Sequence, residues 1–222
     1  MNKTTLFDEL TLNISEMSPF IGGIWESENN LVLSENLLFQ TIYNDIQSHS
    51  GPMVIDIGAS TGCLSLFNKD RRFLIFSFEP NPTAFNELVS NVVSNDCNTF
   101  CYNVALGNHD GTAFMSQHQE LWGYGYNRII DQESDVKIPI HQLDHMIPFN
   151  TNITHVKIDV EGYEMFVLRG MKRILEQKPV LYLEMIESNF QNYSYTSKDI
   201  INFLEKFGYV GEKIDENNYK FV

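Results

Sequence analysis

The sequence predicts an α/β fold in which a mostly parallel sheet carries helices on both faces and ends in an antiparallel hairpin. Segments 53–57, 73–78, 99–104, 156–160 and 180–184 are apolar at nearly every position, the pattern of strands buried on both faces. Helix-period stretches, notably 83–94 and 163–176, separate them, and such alternation closes into a parallel sheet. Residues 209–214 and 219–222 flank Asp215-Glu-Asn-Asn218, a turn composition that makes the last two segments a hairpin.

The elements follow in order. Pro19, Gly22 and Gly23 lie among Phe20, Ile21 and Trp25, which suggests a packed irregular segment. Leu37, Leu38, Thr41, Ile42, Asp45 and Ile46 recur at a helical period, and Gly51-Pro52 ends that helix. Residues 1–50 are therefore expected as a helical or irregular segment on the core, and 51–222 as the main domain. Asn81-Pro82 starts the next helix, whose Ala84, Phe85, Leu88 and Val92 share one stripe. After Gly162, Phe166, Val167, Leu168, Met171, Ile174 and Leu175 form the broad stripe of a sheet-covering helix. An insert around 112–140 pairs two short strands about Trp122-Gly-Tyr124-Gly-Tyr126-Asn-Arg128. Its rings either pack the loop onto the body or offer stacking faces to a ligand, with Trp122, Tyr124, Tyr126 and Arg128 as the contacts.

Composition narrows the function. A chain of 222 residues suits one domain, and 43% hydrophobic content gives it a full core. With 29 acidic against 15 basic residues, the net charge of −14 repels phosphate backbones and anionic lipid surfaces, which disfavours nucleic acid as the substrate. Three cysteines make no disulfide framework, and no His or Cys pair completes a zinc set. With no signal-peptide pattern and no apolar run near the ~18 residues of a membrane span, a soluble cytoplasmic protein acting on a small molecule is expected.

Val54-Ile55-Asp56-Ile57-Gly58-Ala59-Ser60-Thr61-Gly62 joins a strand to a glycine turn that lets backbone approach a ligand. A dinucleotide fingerprint needs a middle glycine for the pyrophosphate, and here Ser60 stands in that place with Asp56 just upstream. The arrangement suits a cation better than a pyrophosphate, and S-adenosylmethionine carries positive charge on its ammonium and sulfonium. Glu79 ends the next strand at roughly the 20-residue distance from which an acid reaches a ribose diol.

Ligands of open parallel sheets collect beyond the carboxyl ends of the strands, which are Asp56, Glu79, Asn103, Asp159 and Glu184. In His155-Val-Lys-Ile-Asp159-Val-Glu161-Gly162-Tyr163-Glu164, two carboxylates follow a buried strand. They could shift each other's proton affinity, orient a hydroxyl or hold a hard cation, so a divalent metal is compatible with the spacing without being specified by it. Asp159, Glu161, His141 and Glu184 are the candidate bases, with the Asp159/Glu161 pair preferred. Asp144 is expected to cap a helix.

Together with Phe78-Glu-Pro-Asn81, Asn103-Val-Ala-Leu-Gly107, Leu143-Asp144, Leu168-Arg-Gly170 and Leu183-Glu184, these segments resemble the FkbM-type family of S-adenosylmethionine-dependent methyltransferases. The resemblance runs from about Gly51 to Glu187 and implies a Rossmann-like class I methyltransferase fold, a seven-stranded sheet, and O-methylation of sugar or related hydroxyls. It implies that Asp56, Gly58, Ser60 and Gly62 line the amino-acid end of the cofactor. It puts Glu79, with Asn81 beside it, at the ribose, and Asn103, Val104 and Ala105 near the adenine. His141 and Glu184 join the aromatic loop on the acceptor side. The rival readings are a non-catalytic domain that binds a carbohydrate or partner, and a nicotinamide-dependent oxidoreductase, against which the missing middle glycine argues.

Overall fold

In the computed structural model the described residues are 20–21, 24–27, 30–31, 37–68, 71–116 and 127–222. They begin with an antiparallel ribbon of β1 (Phe20–Ile21), β2 (Ile24–Ser27) and β3 (Asn30–Leu31), followed by α1 (Leu37–Ser48). Then come β4 (Met53–Ile57), β5 (Leu74–Phe78), α2 (Pro82–Ser94) and β6 (Thr99–Tyr102). The insert supplies β7 (Ala105–Leu106), β8 (Gly111–Met115), β9 (Ile129–Ile130) and β10 (Val136–His141), and α3 (Leu143–Met146) follows. The chain continues through β11 (His155–Ile158), α4 (Glu164–Arg169), α5 (Lys172–Leu175) and β12 (Val180–Glu184). Last are α6 (Glu187–Phe190), α7 (Ser197–Glu205), β13 (Gly211–Lys213) and β14 (Asn218–Phe221).

Seven strands form the main sheet in the order β13-β14-β12-β11-β4-β5-β6. The five from β12 to β6 are parallel, and the hairpin β13–β14 joins β12 antiparallel. Alternate residues feed opposite layers. Ile55 and Ile57 of β4 and Leu181 and Leu183 of β12 pack under α4, α5 and α7, whereas Val54, Ile75 and Tyr182 face Leu38, Phe39, Ile42 and Ile46 of α1. That double burial explains the near-continuous apolar strands. Strand order reverses between β4 and β11, and in such sheets the crevice at the reversal receives the ligand.

Two expectations needed correction. The helix expected over 163–176 is two, α4 and α5, broken at Gly170. A Cβ on Gly170 would lie 1.9 Å from the carbonyl oxygen of Gly107, so the helix ends where another loop crosses it. Asp144 does cap a helix, though not its own. Its carboxylate accepts the N–H groups of Arg173 (2.8 Å) and Ile174 (3.2 Å), starting α5 afresh. The insert is more than two short strands: with β7 and β9 it makes a separate four-stranded sheet, β7-β10-β8-β9, whose Ala113, Met115, Ile138 and Ile140 cluster with Tyr163. Among the described residues, no helix is long and apolar enough to cross a membrane.

Candidate active site

The turn after β4 is tied to the strand beside it. The N–H groups of Gly58 (3.0 Å) and Ala59 (3.1 Å) both donate to the carbonyl of Phe78. Gly58 has φ +77°, and a Cβ there would fall 1.8 Å from the carbonyl oxygen of Asp159. Only glycine lets the turn and the end of β11 approach this closely. Ser60, at φ 49°, donates its N–H to Glu79 Oε2 at 2.8 Å, and the Asn81 N–H reaches Glu79 Oε1 at 2.8 Å. Glu79 is only 7% exposed. Burial pushes its carboxyl up to about 7, although both N–H donors favour the charged form.

Across the strand-order reversal the turn after β11 carries Asp159 and Glu161. Glu161 has φ 55°, left-handed for a residue other than glycine, and its neighbours impose that shape. Glu164 Oε1 accepts the N–H groups of Val160 (3.1 Å) and Gly162 (3.3 Å), and the Tyr195 hydroxyl donates to Gly162 O at 2.5 Å. Burial raises the Glu164 carboxyl to about 7. The Asn189 amide donates to Glu161 Oε2 at 3.0 Å, aiming that carboxylate. Oxygens of Asp159, Glu161 and Glu184 all lie within 4.8 Å of one another. Oxygens this close repel unless a proton or a cation comes between them. Burial, and after it the Asp159 charge, raises both Glu161 and Glu184 above the usual carboxylate range.

A lysine lies beneath the acids. Lys157 Nζ is 3.2 Å from Asp159 Oδ2, 3.5 Å from Asp56 Oδ1 and 3.3 Å from the Gly58 carbonyl. Its side chain is 6% exposed, and the aspartates hold the ammonium charged against the cost of burial. Lys157 stands opposite Asp56 in the β4–β11 register and opposite Tyr182 in β11–β12, so a polar row crosses an otherwise apolar sheet. The row continues through the Tyr182 hydroxyl, which donates to Asp45 at 2.6 Å, to Lys220, 2.9 Å from the same carboxylate.

Both ends open into one cavity of about 500 Å³. Gly58, Ser60 and Glu79 line one end with Val104 and Ala105, and Asp159, Glu161 and Glu184 line the other. The insert sheet contributes Met115, Arg128 and Ile129, and Asn189, Asn217 and Asn218 add amides.

Most of the residues expected at the site meet here, and several stand apart. Asp56 is 1% exposed under the cavity floor and does not line it. Gly62 turns its open side to Leu88 of α2, 2.7 Å from where its Cβ would be. Asn81 caps α2 by accepting from the N–H groups of Thr83 and Ala84. The Asn103 amide donates to the carbonyls of Glu79 (2.8 Å) and Pro80 (3.1 Å) and so links two loops, while Val104 and Ala105 face the cavity. His141 is at the end of β10 beside Asp110, outside the cavity. Trp122, Tyr124 and Tyr126 lie outside the described residues. Sequence reasoning missed Lys157, Glu164, Asn189 and Tyr195. For Lys157 the signal was present, since a lysine between Val156 and Ile158 in a buried strand must find carboxylates.

Comparison with solved structures agrees with this architecture. The chain is similar in fold to an rRNA methylase from Streptococcus thermophilus (TM-score 0.50, 10% identity, 84% of this chain and 95% of that one). It is likewise similar to the magnesium protoporphyrin IX methyltransferase of Synechocystis PCC 6803 with bound SAM (TM-score 0.50, 11% identity, 82% of this chain and 76% of that one). At such identities the likeness concerns the fold, which is that of class I methyltransferases. A search of curated protein sequences returned no match. The family model described as Methyltransferase FkbM domain matches residues 56–210, from the aspartate of the glycine turn to the start of the C-terminal hairpin, and the chain belongs to that family.

Proposed function

We propose that the chain is an S-adenosylmethionine-dependent O-methyltransferase acting on a hydroxyl of a sugar, a glycan or a related small molecule. One observation carries this reading: a single cavity has a backbone-fixed carboxylate, Glu79, at one end and the Asp159, Glu161 and Glu184 carboxylates at the other. Glu79 suits a ribose diol, because each of its oxygens takes one N–H and keeps a further lone pair for a hydroxyl. Gly58 presents backbone to the cavity, and the opposite acids suit cationic groups. When bound, S-adenosylmethionine supplies a methyl group on positively charged sulfur, open to in-line displacement by an oxygen.

The chain's own residues then have to orient the acceptor and take its proton. Asn189, Asn217 and Asn218 offer both donors and acceptors to a polyhydroxylated molecule, and the acidic walls repel polyanions. Glu161 is the base: it lines the cavity, Asn189 aims it, and its raised proton affinity matches proton abstraction near neutral pH. Burial raises that affinity first, and Asp159, beside the Lys157 ammonium, adds the charge that raises it further. Positioning of the hydroxyl against the methyl carbon provides much of the remaining acceleration.

Binding calorimetry with S-adenosylmethionine, followed by a screen for labelled methyl transfer to sugars, nucleotide sugars and small phenols, tests this. Saturable binding and a labelled product are expected. Binding of a nicotinamide dinucleotide with no heat from S-adenosylmethionine would overturn the reading, and cofactor binding with no transfer to any hydroxyl would overturn its acceptor half.

A further inference from the structure

The three clustered acids raise a question of timing. A base must be ionised before it can take a proton, yet Asp159, Glu161 and Glu184 are crowded within 4.8 Å. Around Glu161 and Glu184 stand Asp159 and Lys157 of the β11 segment, Glu164 of α4 and the Asn189 amide of α6. The cation in that group, Lys157, is paired with Asp159 and shared with Asp56. The cavity side of the cluster faces the Glu79 end, and Gly58 brings the two ends into contact at the Asp159 carbonyl.

Resting on the cofactor reading above, we propose that the Glu161–Glu184 pair is a proton store emptied by the cofactor's own charge: it holds a proton in the free protein and releases it to solvent when a sulfonium is seated. The chemistry balances over a turnover. On binding, one carboxylic acid of the pair becomes a carboxylate and a proton leaves for water. Glu161 then takes the acceptor's hydroxyl proton as the oxygen–methyl bond forms and the sulfur–methyl bond breaks, with its electron pair staying on sulfur. The pair ends protonated beside a neutral thioether, as it began. A cation about 5 Å from a carboxylate is strong enough to shift such a proton in a partly buried site, and raised proton affinities at both glutamates agree with a held proton.

Titration calorimetry in two buffers of different ionisation enthalpy counts the protons. S-adenosylhomocysteine keeps the ribose, carboxylate and ammonium and lacks only the methyl group and its charge, so a contribution from Glu79 cancels in the comparison. S-adenosylmethionine is expected to release about one proton more than S-adenosylhomocysteine near neutral pH. Its affinity relative to the homocysteine should climb with pH, by up to about tenfold per unit. The E161Q/E184Q double variant should bind both molecules and lose the difference. Should that variant not fold, the pH dependence of the wild-type affinity ratio decides alone. Equal proton counts, a difference that survives in the double variant, or one that disappears with EDTA would each overturn the proposal. Failure of both molecules to bind would overturn the cofactor reading and this proposal with it, whereas binding with equal proton counts would leave the cofactor reading standing.

Discussion

Two clusters built from carboxylates and their neighbours behave in opposite ways. On the surface, Asp110 accepts the Gln142 N–H at 2.9 Å and lies 3.3 Å from His141 Nδ1 and 2.6 Å from His145 Nδ1. The Gln142 N–H, and after it His145, push its carboxyl down to about 2. In the cavity, burial dominates, and Glu161 and Glu184 move up. Residue type alone would have made either cluster a candidate centre. The environment separates them: donors in water strengthen an acid, while crowded acids with little water become proton acceptors of catalytic strength.

The contrast can be broken first at its chemical end. Glu161→Gln should lower kcat by about 10²–10⁴-fold at saturating cofactor, whereas Asp110→Asn should leave it unchanged. Equal losses in the two variants would erase the distinction. The pH profile of kcat/KM for the cofactor sharpens it, because a base whose proton affinity is raised in the free protein gives a kcat/KM that grows with pH above the ordinary carboxylate range. Next in size, Lys157→Met leaves Asp56 buried without its cation and should cost about 3–5 kcal/mol of stability, read from the denaturant midpoint. An unchanged midpoint would show that the sheet's polar row does not need its lysine.

A buried histidine extends the comparison. His155 is fully buried against His49 and Tyr182, and burial lowers its imidazole to about 4. Because the folded value lies below the unfolded one near 6.5, the neutral ring's contribution is complete above pH 6.5. It is lost as pH falls toward 4, by about 3 kcal/mol in all. Thermal melts of wild type and His155→Phe across that window should differ in slope, and parallel curves would reject the assignment. The smallest effect belongs to the surface. His141→Ala should leave both kcat and the melting midpoint within the range of ordinary surface substitutions.

The fold was legible because strands buried on both faces leave a dense apolar signature, and Gly-Ala-Ser-Thr-Gly, Glu79 and the Asp159 segment stand at their ends. What stayed hidden was side-chain direction. Asp56 and Gly62 belong to the motif, yet one points into the sheet and the other toward α2. Nor does sequence show that the Asn103 amide nitrogen ties two carbonyls together beside Val104 and Ala105 of the cavity wall. Tyr195 escaped notice because its role depends on two segments, about thirty residues apart, meeting at one turn. Gly170 sat within a convincing helical stripe, and its break comes from a loop that no helical period reports.

That break has a consequence of its own. Gly107 donates its N–H to the His141 carbonyl at 2.9 Å, so the insert leaves and rejoins the body at neighbouring points. The carbonyl of Gly107 presses on Gly170, whose own carbonyl accepts the Asp144 N–H at 3.1 Å. Entry and exit are thus riveted to a single joint on the scaffold. The sheet between them is therefore a separate attachment: it hangs from that joint, while the strands that lead into Glu79 and Glu161 belong to the main sheet.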